Sequence, residues 1–390
     1  MNHLAQTSPF PINLQIEKAK GIYLYTNQGE KYMDLISGVG VNNIGHSDKR
    51  VIKAIHRQSK KHLHVMVYGE YVQPVQLIFA KKLSVCFPDS LNTCYFTNSG
   101  AEAIEAALKL AKRCTGRTDF IALNKSYHGS THGALSVTGN EEKKFAFRPF
   151  LPGVKFIDQN NFNGLQKITT KTAAVVLEII QGDAGVRISD HKWLKALQKR
   201  CKETGTLIIA DEIQTGFGRT GKMFAFQHFN FIPDIVCVGK AMAGGMHMGG
   251  LVSSQKLMNQ FTHNPILGHI TTFGGHPISC AAGIANLDIL SDENWIDRSE
   301  QKADYIFNTL SKHKAIKEIR YKGLFFAIDL KNEKILSSFL EHLKDKEKAL
   351  AFRFLSAPYS FRLAPPLCIT QKQVEQACEK ILRALDAVTA

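Results

Sequence analysis

A lysine between an apolar run and a run of small residues is the first candidate for covalent chemistry. Lys240 follows Ile-Val-Cys-Val at 235–238 and precedes Ala-Met-Ala-Gly-Gly at 241–245. Small neighbours leave room for a flat ligand, and an amine whose pKa is lowered by its surroundings can form a Schiff base with an aldehyde. A lysine before glycines is more often an ordinary exposed side chain, so Lys240 needs supporting residues.

An acidic residue at the end of a second apolar run supplies such support. Asp211 follows Leu-Ile-Ile-Ala at 207–210. An anion beside a pyridine nitrogen keeps that nitrogen protonated, so that the ring accepts electrons, as pyridoxal phosphate (PLP) chemistry requires. At ~4 Å and an effective dielectric constant of ~20, the pairing is on the order of 4 kcal/mol before desolvation. The alternative interpretation is that Asp211 caps a helix.

A third segment predicts a phosphate site. Residues 97–103 (Thr-Asn-Ser-Gly-Ala-Glu-Ala) lie between an apolar run and a long amphipathic pattern. Backbone N–H groups at a helix start bind phosphate without a charged side chain, and glycine allows close approach. Tyr127-His128-Gly129 follows another apolar run and offers a ring to stack on a planar cofactor, although lone aromatics more often belong to the core. Together these segments predict a PLP enzyme with its cofactor on Lys240.

The elements that must position these residues alternate along the chain. Short apolar runs separated by helical patterns predict an α/β fold with a mainly parallel sheet covered on both faces. Ligands of such sheets bind beyond the carboxyl ends of the strands, where polar residues follow almost every run. The predicted strands are 94–97, 120–123, 174–178, 207–211 and 235–238, and the predicted helices between them include 101–113 and 191–204.

Three segments are predicted from the change of pattern along the chain. Residues 1–50, with short strands at 21–25 and 31–35, form the N-terminal part of a small domain. Residues 51–290 form the large cofactor-binding domain, and 291–390 form the C-terminal, α+β part of the small domain. The expected elements of that last segment are helix 295–312, strands 323–330 and 359–363, and helix 371–385.

Composition excludes several other classes of protein. The chain has 390 residues, 44% of them hydrophobic, and a formal net charge of +15. The basic residues are dispersed and lack interleaved aromatics, which disfavours nucleic-acid binding and leaves a basic binding or scaffold protein as the non-enzyme alternative. The longest apolar run, 173–180, is interrupted by Glu178, so neither a membrane span nor a membrane partner is expected. No secretory signal is predicted at the N-terminus.

The eight cysteines lie between Cys86 and Cys378, without a C-x-x-C pair or a cluster at metal-ligand spacing. This distribution is typical of reduced, mostly buried thiols in a cytoplasmic protein. The sequence therefore predicts a cytoplasmic chain without a metal site.

Residues 211–221 (Asp-Glu-Ile-Gln-Thr-Gly-Phe-Gly-Arg-Thr-Gly), followed by Lys240, resemble the class III aminotransferases, which include acetylornithine, ornithine and 4-aminobutyrate aminotransferases. The resemblance covers nearly the whole chain. It implies PLP-dependent transferase fold type I, in which a large domain with a mainly parallel seven-stranded sheet is joined by a small α+β domain built from both termini. The further matching segments are 38–46, 96–107, 177–186, 271–283 and 362–366.

The resemblance also implies roles for the predicted catalytic residues. Lys240 would hold PLP as an internal aldimine and carry a proton between the cofactor and the amino-bearing carbon of the substrate. Asp211 would pair with the ring nitrogen. Ser99, Gly100 and Ala101 would bind the phosphate, Tyr127 would stack on the ring, and Gln214 would lie near the phenolic oxygen. His128 and Glu178 complete the implied cofactor-binding set within one chain. Thr272 would reach the phosphate of a neighbouring subunit in an obligate homodimer with shared active sites.

Substrate recognition is implied at three positions. Arg362, in Phe-Arg-Leu-Ala-Pro-Pro, resembles the arginine that grips a substrate carboxylate. Asp183 stands where relatives have a glutamate that pairs with this arginine and releases it for dicarboxylates, and it is one methylene shorter. Ser130 replaces the arginine that in many members binds a distal carboxylate, so Arg219 or another basic group would have to substitute.

The reaction implied is transamination between an amino acid or ω-amino donor and a 2-oxo acid. Val39 stands where ornithine aminotransferases tend to have a tyrosine, so the donor is of the ornithine, acetylornithine or 4-aminobutyrate type without a narrower assignment. The alternative is another reaction of the same fold, such as that of an aminomutase, racemase or decarboxylase, because these enzymes share the cofactor residues.

Overall fold

The structure is a computed structural model that describes residues 3–9 and 11–389. Residues 1, 2 and 10, in the predicted first segment, and residue 390, in the predicted last one, lie outside the described residues. None of the helices within the described ranges is long and apolar enough to span a bilayer.

Strands occur throughout the described residues and group into four sheets. In chain order they are β1 (Ile16–Lys20), β2 (Tyr23–Thr26), β3 (Lys31–Asp34), β4 (Thr93–Thr97), β5 (Asp119–Leu123), β6 (Val154–Ile157), β7 (Thr172–Leu177), β8 (Ile180–Gln181), β9 (Arg187–Ile188), β10 (Leu207–Asp211), β11 (Ile235–Val238), β12 (Gly249–Ser253), β13 (Ile316–Lys322), β14 (Phe325–Leu330), β15 (Ala349–Leu350), β16 (Phe352–Arg353) and β17 (Ser360–Leu363).

Helices fill most of the gaps between these strands. In chain order they are α1 (Ser37–Gly40), α2 (Lys49–Ser59), α3 (Pro74–Ser84), α4 (Gly100–Thr115), α5 (His132–Val137), α6 (His191–Thr204), α7 (Gln255–Met258), α8 (Pro277–Asp292), α9 (Ser299–Leu310), α10 (Glu333–Asp345) and α11 (Gln371–Thr389).

The large sheet has seven strands in the order β4-β12-β11-β10-β7-β5-β6. β10 is parallel to β7 and β11, and β5 is parallel to β6 and β7, whereas β12 is antiparallel to both of its neighbours. β7 and β11 are buried along their whole length because helices cover both faces, and this explains their continuous apolar sequences. The prediction of a mainly parallel seven-stranded sheet is confirmed.

Two strands of this sheet were not predicted from the sequence. β12 begins with two glycines, which are depleted in strands and more often mark turns. β6 has only four residues and alternates weakly between exposed and buried positions. Helix α8 was missed as well, because it is apolar nearly all round and shows no amphipathic period.

The smaller sheets bring the two ends of the chain together. β15 pairs in parallel with β3, so the first sheet, in the order β1-β2-β3-β15, combines early and late segments. The sheet β13-β14-β17-β16 carries the rest of the late strands. The prediction of a small α+β unit built from both termini is confirmed. The boundaries at residues 50 and 290 stay predictions, and α8 continues to Asp292.

The large sheet places polar residues together at one edge. Asn98, Glu178 and Asp211 lie at or directly after the carboxyl ends of β4, β7 and β10, and Lys240 follows β11 by one intervening residue. These strands are parallel, so their carboxyl ends lie side by side. The fold therefore brings residues more than a hundred positions apart to one site.

Replacing Gly249 in β12 by alanine should destabilise this edge. The added Cβ would lie 2.1 Å from the carbonyl oxygen of Ser99 and 2.9 Å from the nitrogen of Gly100. We expect Gly249→Ala to lower the free energy of unfolding, measured by urea denaturation, by about 1–3 kcal/mol, as overpacking does. In the control Gly164→Ala the closest atom is the Cβ of Ile157 at 3.1 Å, so the loss should be smaller. Equal losses in both variants would contradict the tight packing at Gly249.

Candidate active site

A cavity of about 540 Å³ opens at the carboxyl edge of the large sheet. Two of the predicted site residues, Ser99 and Thr272, are not among its lining residues. The predicted residues that do line it are Gly100, Ala101, Tyr127, His128, Ser130, Glu178, Asp183, Asp211, Gln214, Lys240 and Arg362.

Lys240 enters this cavity from a strained backbone position. Its φ of 46° lies in the left-handed region that non-glycine residues rarely adopt, and such strain concentrates at functional sites. Burial in the cavity lowers the pKa of the Lys240 amine to about 8, with the nearby Asp211 carboxylate opposing the shift. A substantial fraction of the amine is therefore neutral near pH 8, as a nucleophile or a general base requires.

Asp211 is a buried carboxylate held by two donors. Its Oδ2 lies 2.7 Å from Nδ1 of His128, and its Oδ1 accepts a hydrogen bond of 3.0 Å from the backbone N–H of Ile213. Burial disfavours the His128 imidazolium, but the hydrogen bond and the charge of Asp211 outweigh burial and raise the pKa of His128. Asp211 is the last residue of β10 and is followed by a turn, so the helix-cap interpretation is wrong.

A second buried carboxyl group lies beside this pair. Glu178 accepts hydrogen bonds of 3.0 Å from the backbone N–H groups of Tyr127 and Gly182. Burial nevertheless raises the pKa of Glu178 to about 7, because the desolvation of the carboxylate exceeds the opposing effects of His128 and the two N–H donors. Glu178 therefore titrates near neutral pH.

The start of α4 forms a tight concave surface at the cavity wall. Ser99 caps the helix by accepting a hydrogen bond of 3.2 Å from the Glu102 N–H. A Cβ at residue 100 would lie 2.8 Å from the Ile213 side chain, and one at residue 129 would lie 2.7 Å from the Cβ of Ala101. Glycine is therefore required at both positions for this close packing. The backbone N–H groups of the first helical turn have no carbonyl partners within the helix, as at any helix start. The site suits a phosphate group.

The opposite side of the cavity carries a buried arginine. Arg362 lies on β17 with its guanidinium 4.4 Å from the ring centre of Phe354, and its buried Nε has no hydrogen-bond partner among the described residues. Burial lowers the pKa of Arg362 to about 10, although Asp183 and Glu178 favour its charged form. The guanidinium therefore stays protonated at neutral pH, with hydrogen-bonding capacity left for a ligand.

Asp183 lies close to this arginine but contacts a different cation more closely. Its Oδ1 is 3.9 Å from Nη2 of Arg362, whereas its Oδ2 is 2.7 Å from Nζ of Lys143. Burial would raise the pKa of Asp183, but the Lys143 ammonium and the hydroxyl of Ser356 together hold that pKa below its usual value. Sequence reasoning missed Lys143, which lies in a polar segment with no distinctive spacing.

The other basic groups near the cavity have different roles. Arg219, considered as a substitute for an arginine at Ser130, is fully buried, donates to the carbonyls of Leu324 and Pro365, and does not line the cavity. Arg353 lines the cavity, but its guanidinium also binds the Glu333 carboxylate at 3.2 Å. Lys143, in contrast, forms its ion pair with a cavity residue, Asp183.

Ser130 and Tyr127 lie next to Lys143. The Tyr127 and Ser130 hydroxyl oxygens are 3.2 Å apart, and Nζ of Lys143 lies 4.9 Å from the centre of the Tyr127 ring. Gln214 reaches across the cavity wall to the carbonyl of Val39 at 3.4 Å. Thr272 is exposed, in a loop where its carbonyl accepts from His64 at 2.9 Å, so within one chain it lies apart from the other predicted residues.

Comparison with known proteins gives consistent similarities. The family model for class-III aminotransferases matches residues 5–385. Among solved structures, a transaminase from the marine bacterium Virgibacillus is 27% identical, with 96% of this chain and 93% of that chain covered and a TM-score of 0.91. An ornithine aminotransferase from Toxoplasma gondii, in a structure with partial PLP occupancy, is 29% identical (98% and 91% covered, TM-score 0.89). An (S)-enantioselective ω-transaminase from Thermomicrobium roseum is 25% identical (100% and 97% covered, TM-score 0.90).

Replacing Glu178 by glutamine should reduce the pH dependence of stability in the cofactor-free protein. The pKa of Glu178 rises from an ordinary value of 4.5 to about 7 on folding, so the folded state binds more protons between these values. The stability linked to Glu178 is therefore present below its unfolded pKa and lost as the pH rises through about 7.

Urea denaturation of wild type and Glu178→Gln at closely spaced pH values measures this effect. We expect the decline in unfolding free energy with rising pH to be smaller in the variant but not absent, because the raised pKa of His128 contributes in the same direction. The exposed Glu203→Gln variant on α6 is the control for the change in net charge. A decline in Glu178→Gln as steep as that of the wild type would contradict the assignment.

Proposed function

The chain belongs to the class III aminotransferases, and we propose that it transfers an amino group between an amino acid or ω-amino donor of the ornithine, acetylornithine or 4-aminobutyrate type and a 2-oxo acid. It is a PLP-dependent aminotransferase of fold type I. The observation that carries the proposal is the convergence of the Lys240 amine, the buried Asp211 carboxylate and the start of α4 on one cavity.

The residues of the cavity fit PLP. The Lys240 amine would hold the aldehyde carbon, and the Asp211 carboxylate, oriented by His128, would face the ring nitrogen. The N–H groups at Gly100 and Ala101 would bind the phosphate, with the Ser99 hydroxyl available as a donor because its oxygen only accepts from Glu102. When bound, PLP supplies an electron sink for the carbanion of the substrate. Tyr127 and Gln214 are proposed to flank the ring.

Proton transfer is assigned to Lys240. The lowered pKa of its amine, about 8, lets Nζ accept a proton from the amino-bearing carbon and return it at the next step without a large energetic cost. Asp211, held by the His128 imidazole at 2.7 Å, would pair with the ring nitrogen. These two residues therefore form the proposed catalytic set.

Arg362 is the proposed contact for a substrate carboxylate. Its planar guanidinium can donate two parallel hydrogen bonds, and its position against Phe354 fixes the orientation of the plane. Asp183 and Ser130 line the same end of the cavity. The similarity to an ornithine aminotransferase and an ω-transaminase supports a donor that carries a terminal amino group.

We also propose a homodimer with shared active sites in the cytoplasm. The loop that carries Thr272 and helix α3 expose large apolar side chains that line one groove. Such a groove is typical of a surface covered by another subunit. The eight cysteines are all free, which supports a reducing compartment. The exposed residues of the groove are Leu77, Ile266, Leu267 and Ile270.

The reaction and the role of Lys240 are tested together. Wild-type holoenzyme mixed with a donor amine alone should convert its cofactor to the amine form, and a 2-oxo acid should restore the original spectrum. In Lys240→Ala, turnover should fall by roughly 10²–10⁴-fold or more, because a positioned acid–base group is lost. Borohydride reduction and peptide mass analysis should then find no cofactor on the peptide containing residue 240.

The exposed Lys256→Ala variant is the control and should behave as wild type. Near-normal turnover in Lys240→Ala would remove the catalytic assignment. Failure of both half-reactions across a broad amine panel, with intact PLP binding, would instead favour a racemase, aminomutase or decarboxylase.

The dimer is tested at the groove and at Thr272. Ile270→Glu places a charge in the groove and should shift the protein from dimer to monomer in light-scattering chromatography. Thr272→Ala should keep the dimer but weaken PLP binding, by about tenfold for the loss of one hydrogen bond to a charged group. The control Phe162→Glu alters an exposed apolar residue elsewhere and should change neither property. A wild-type protein that is monomeric with full PLP affinity would refute the shared site.

A further inference from the structure

Asp183 is held by a set of hydrogen-bond donors that does not include Arg362. Its Oδ2 lies 2.7 Å from the Lys143 ammonium and accepts a hydrogen bond of 2.7 Å from the Ser356 hydroxyl. The Leu355 N–H approaches Oδ1 at 3.3 Å, and the amide of Asn140 donates to the Ser356 oxygen at 2.7 Å, which orients the Ser356 hydroxyl proton towards Asp183. Asp183 is therefore fixed by neighbours from two different loops.

Arg362 is correspondingly left without a close anion. Its shortest ion-pair distance, to Oδ1 of Asp183, is 3.9 Å, beyond the range of a hydrogen bond. Its side chain is 6% exposed, and its Nε has no partner among the described residues. A buried guanidinium with unused donors is costly unless a ligand supplies the acceptors.

We propose that Lys143 is a positioning residue that holds Asp183 away from Arg362, so that the arginine is open to a substrate carboxylate before any substrate binds. The Asp183 side chain is one methylene shorter than glutamate, and Lys143 competes for the same carboxylate from the opposite side. Because Arg362 and Asp183 are 3.9 Å apart, no hydrogen bond between them has to be broken when a carboxylate enters. This inference rests on the proposed role of Arg362.

The arrangement has a consequence for the substrate class. An arginine that is already open binds carboxylates in both half-reactions with similar ease, because the same preformed site serves the amino donor and the 2-oxo acid. Donors that carry a carboxylate should therefore be preferred to simple amines of the same length. The Lys143–Asp183 pair therefore predicts the class of amino donor in addition to the proposed reaction.

The direct test measures how tightly holoenzyme binds pentanoate, a carboxylate that cannot react, by titration calorimetry. In Lys143→Met, Asp183 loses its closest cation and Arg362 becomes its nearest remaining cation, so Asp183 then competes with the ligand for Arg362. We expect pentanoate to bind about tenfold more weakly, the size of effect found for directly coupled charged residues. Lys143→Arg keeps the positive charge, so its affinity for pentanoate should stay within about threefold of that of the wild type.

A double variant separates positioning from direct contact. If Lys143 acts through Asp183, then Lys143→Met/Asp183→Asn should recover pentanoate affinity to within about threefold of wild type, because the competing carboxylate is gone. Weak binding that persists in the double variant would overturn the inference, since Lys143 would then contact the ligand itself. Unchanged binding in Lys143→Met would overturn it as well.

Controls keep this test separate from the proposed function. Lys155→Met removes an exposed cation outside the cavity and should leave pentanoate binding unchanged. Arg362→Met should abolish most of the binding, and if it does not, the proposed carboxylate site is wrong whatever Lys143 does. Thermal unfolding checks that each variant is folded, and Lys143→Gln replaces Lys143→Met if the latter unfolds. The half-reaction assay decides transamination independently.

Discussion

The burial of the Asp211 carboxyl group at the end of β10 is the constraint on which the rest of the site depends. Asp211 is 4% exposed, and a carboxylate removed from water to this extent needs charged or hydrogen-bonding partners to stay ionised. His128 supplies one partner from the end of β5, and the pyridinium of PLP would supply another. At the neighbouring Glu178, burial raises the pKa to about 7 although the charge of His128 opposes the shift.

Parallel strands make this arrangement possible. Asp211 and Lys240 lie at the carboxyl ends of neighbouring strands, so both line the same cavity although 28 residues separate them in the chain. The left-handed backbone at Lys240 and the glycines at 100, 129 and 239 then allow the amine, the helix start and the wall of the cavity to approach closely. The rigidity of the buried sheet holds these distances, which a flexible loop would not do.

Much of this arrangement was predictable, for a definable reason. Asp211 and Lys240 each follow a continuous apolar run. Such a run predicts a buried strand, and the polar residue after it marks the carboxyl edge of the sheet. β12 was not predictable, because its glycines fit the close approach of Ser99 to Gly249 and of Tyr95 to Gly250 rather than strand propensity. The position of Lys143 was hidden for a similar reason: its partner Asp183 is forty residues away and is brought near by tertiary structure.

The two departures from the family pattern at the substrate end, Ser130 and Asp183, both lie close to Lys143. Ser130 in place of arginine leaves a short side chain beside Tyr127, and this makes room for Lys143 to reach across the Tyr127 ring. A glutamate at 183 would extend further towards Arg362, whereas the shorter aspartate stays where Lys143 and Ser356 meet it. In this arrangement Lys143 and Asp183 are paired at 2.7 Å, whereas Arg362 is 3.9 Å from Asp183. Because a buried charge is stable only with its counter-charge or a ligand, the unused donors of Arg362 support the proposed carboxylate site at this end of the cavity.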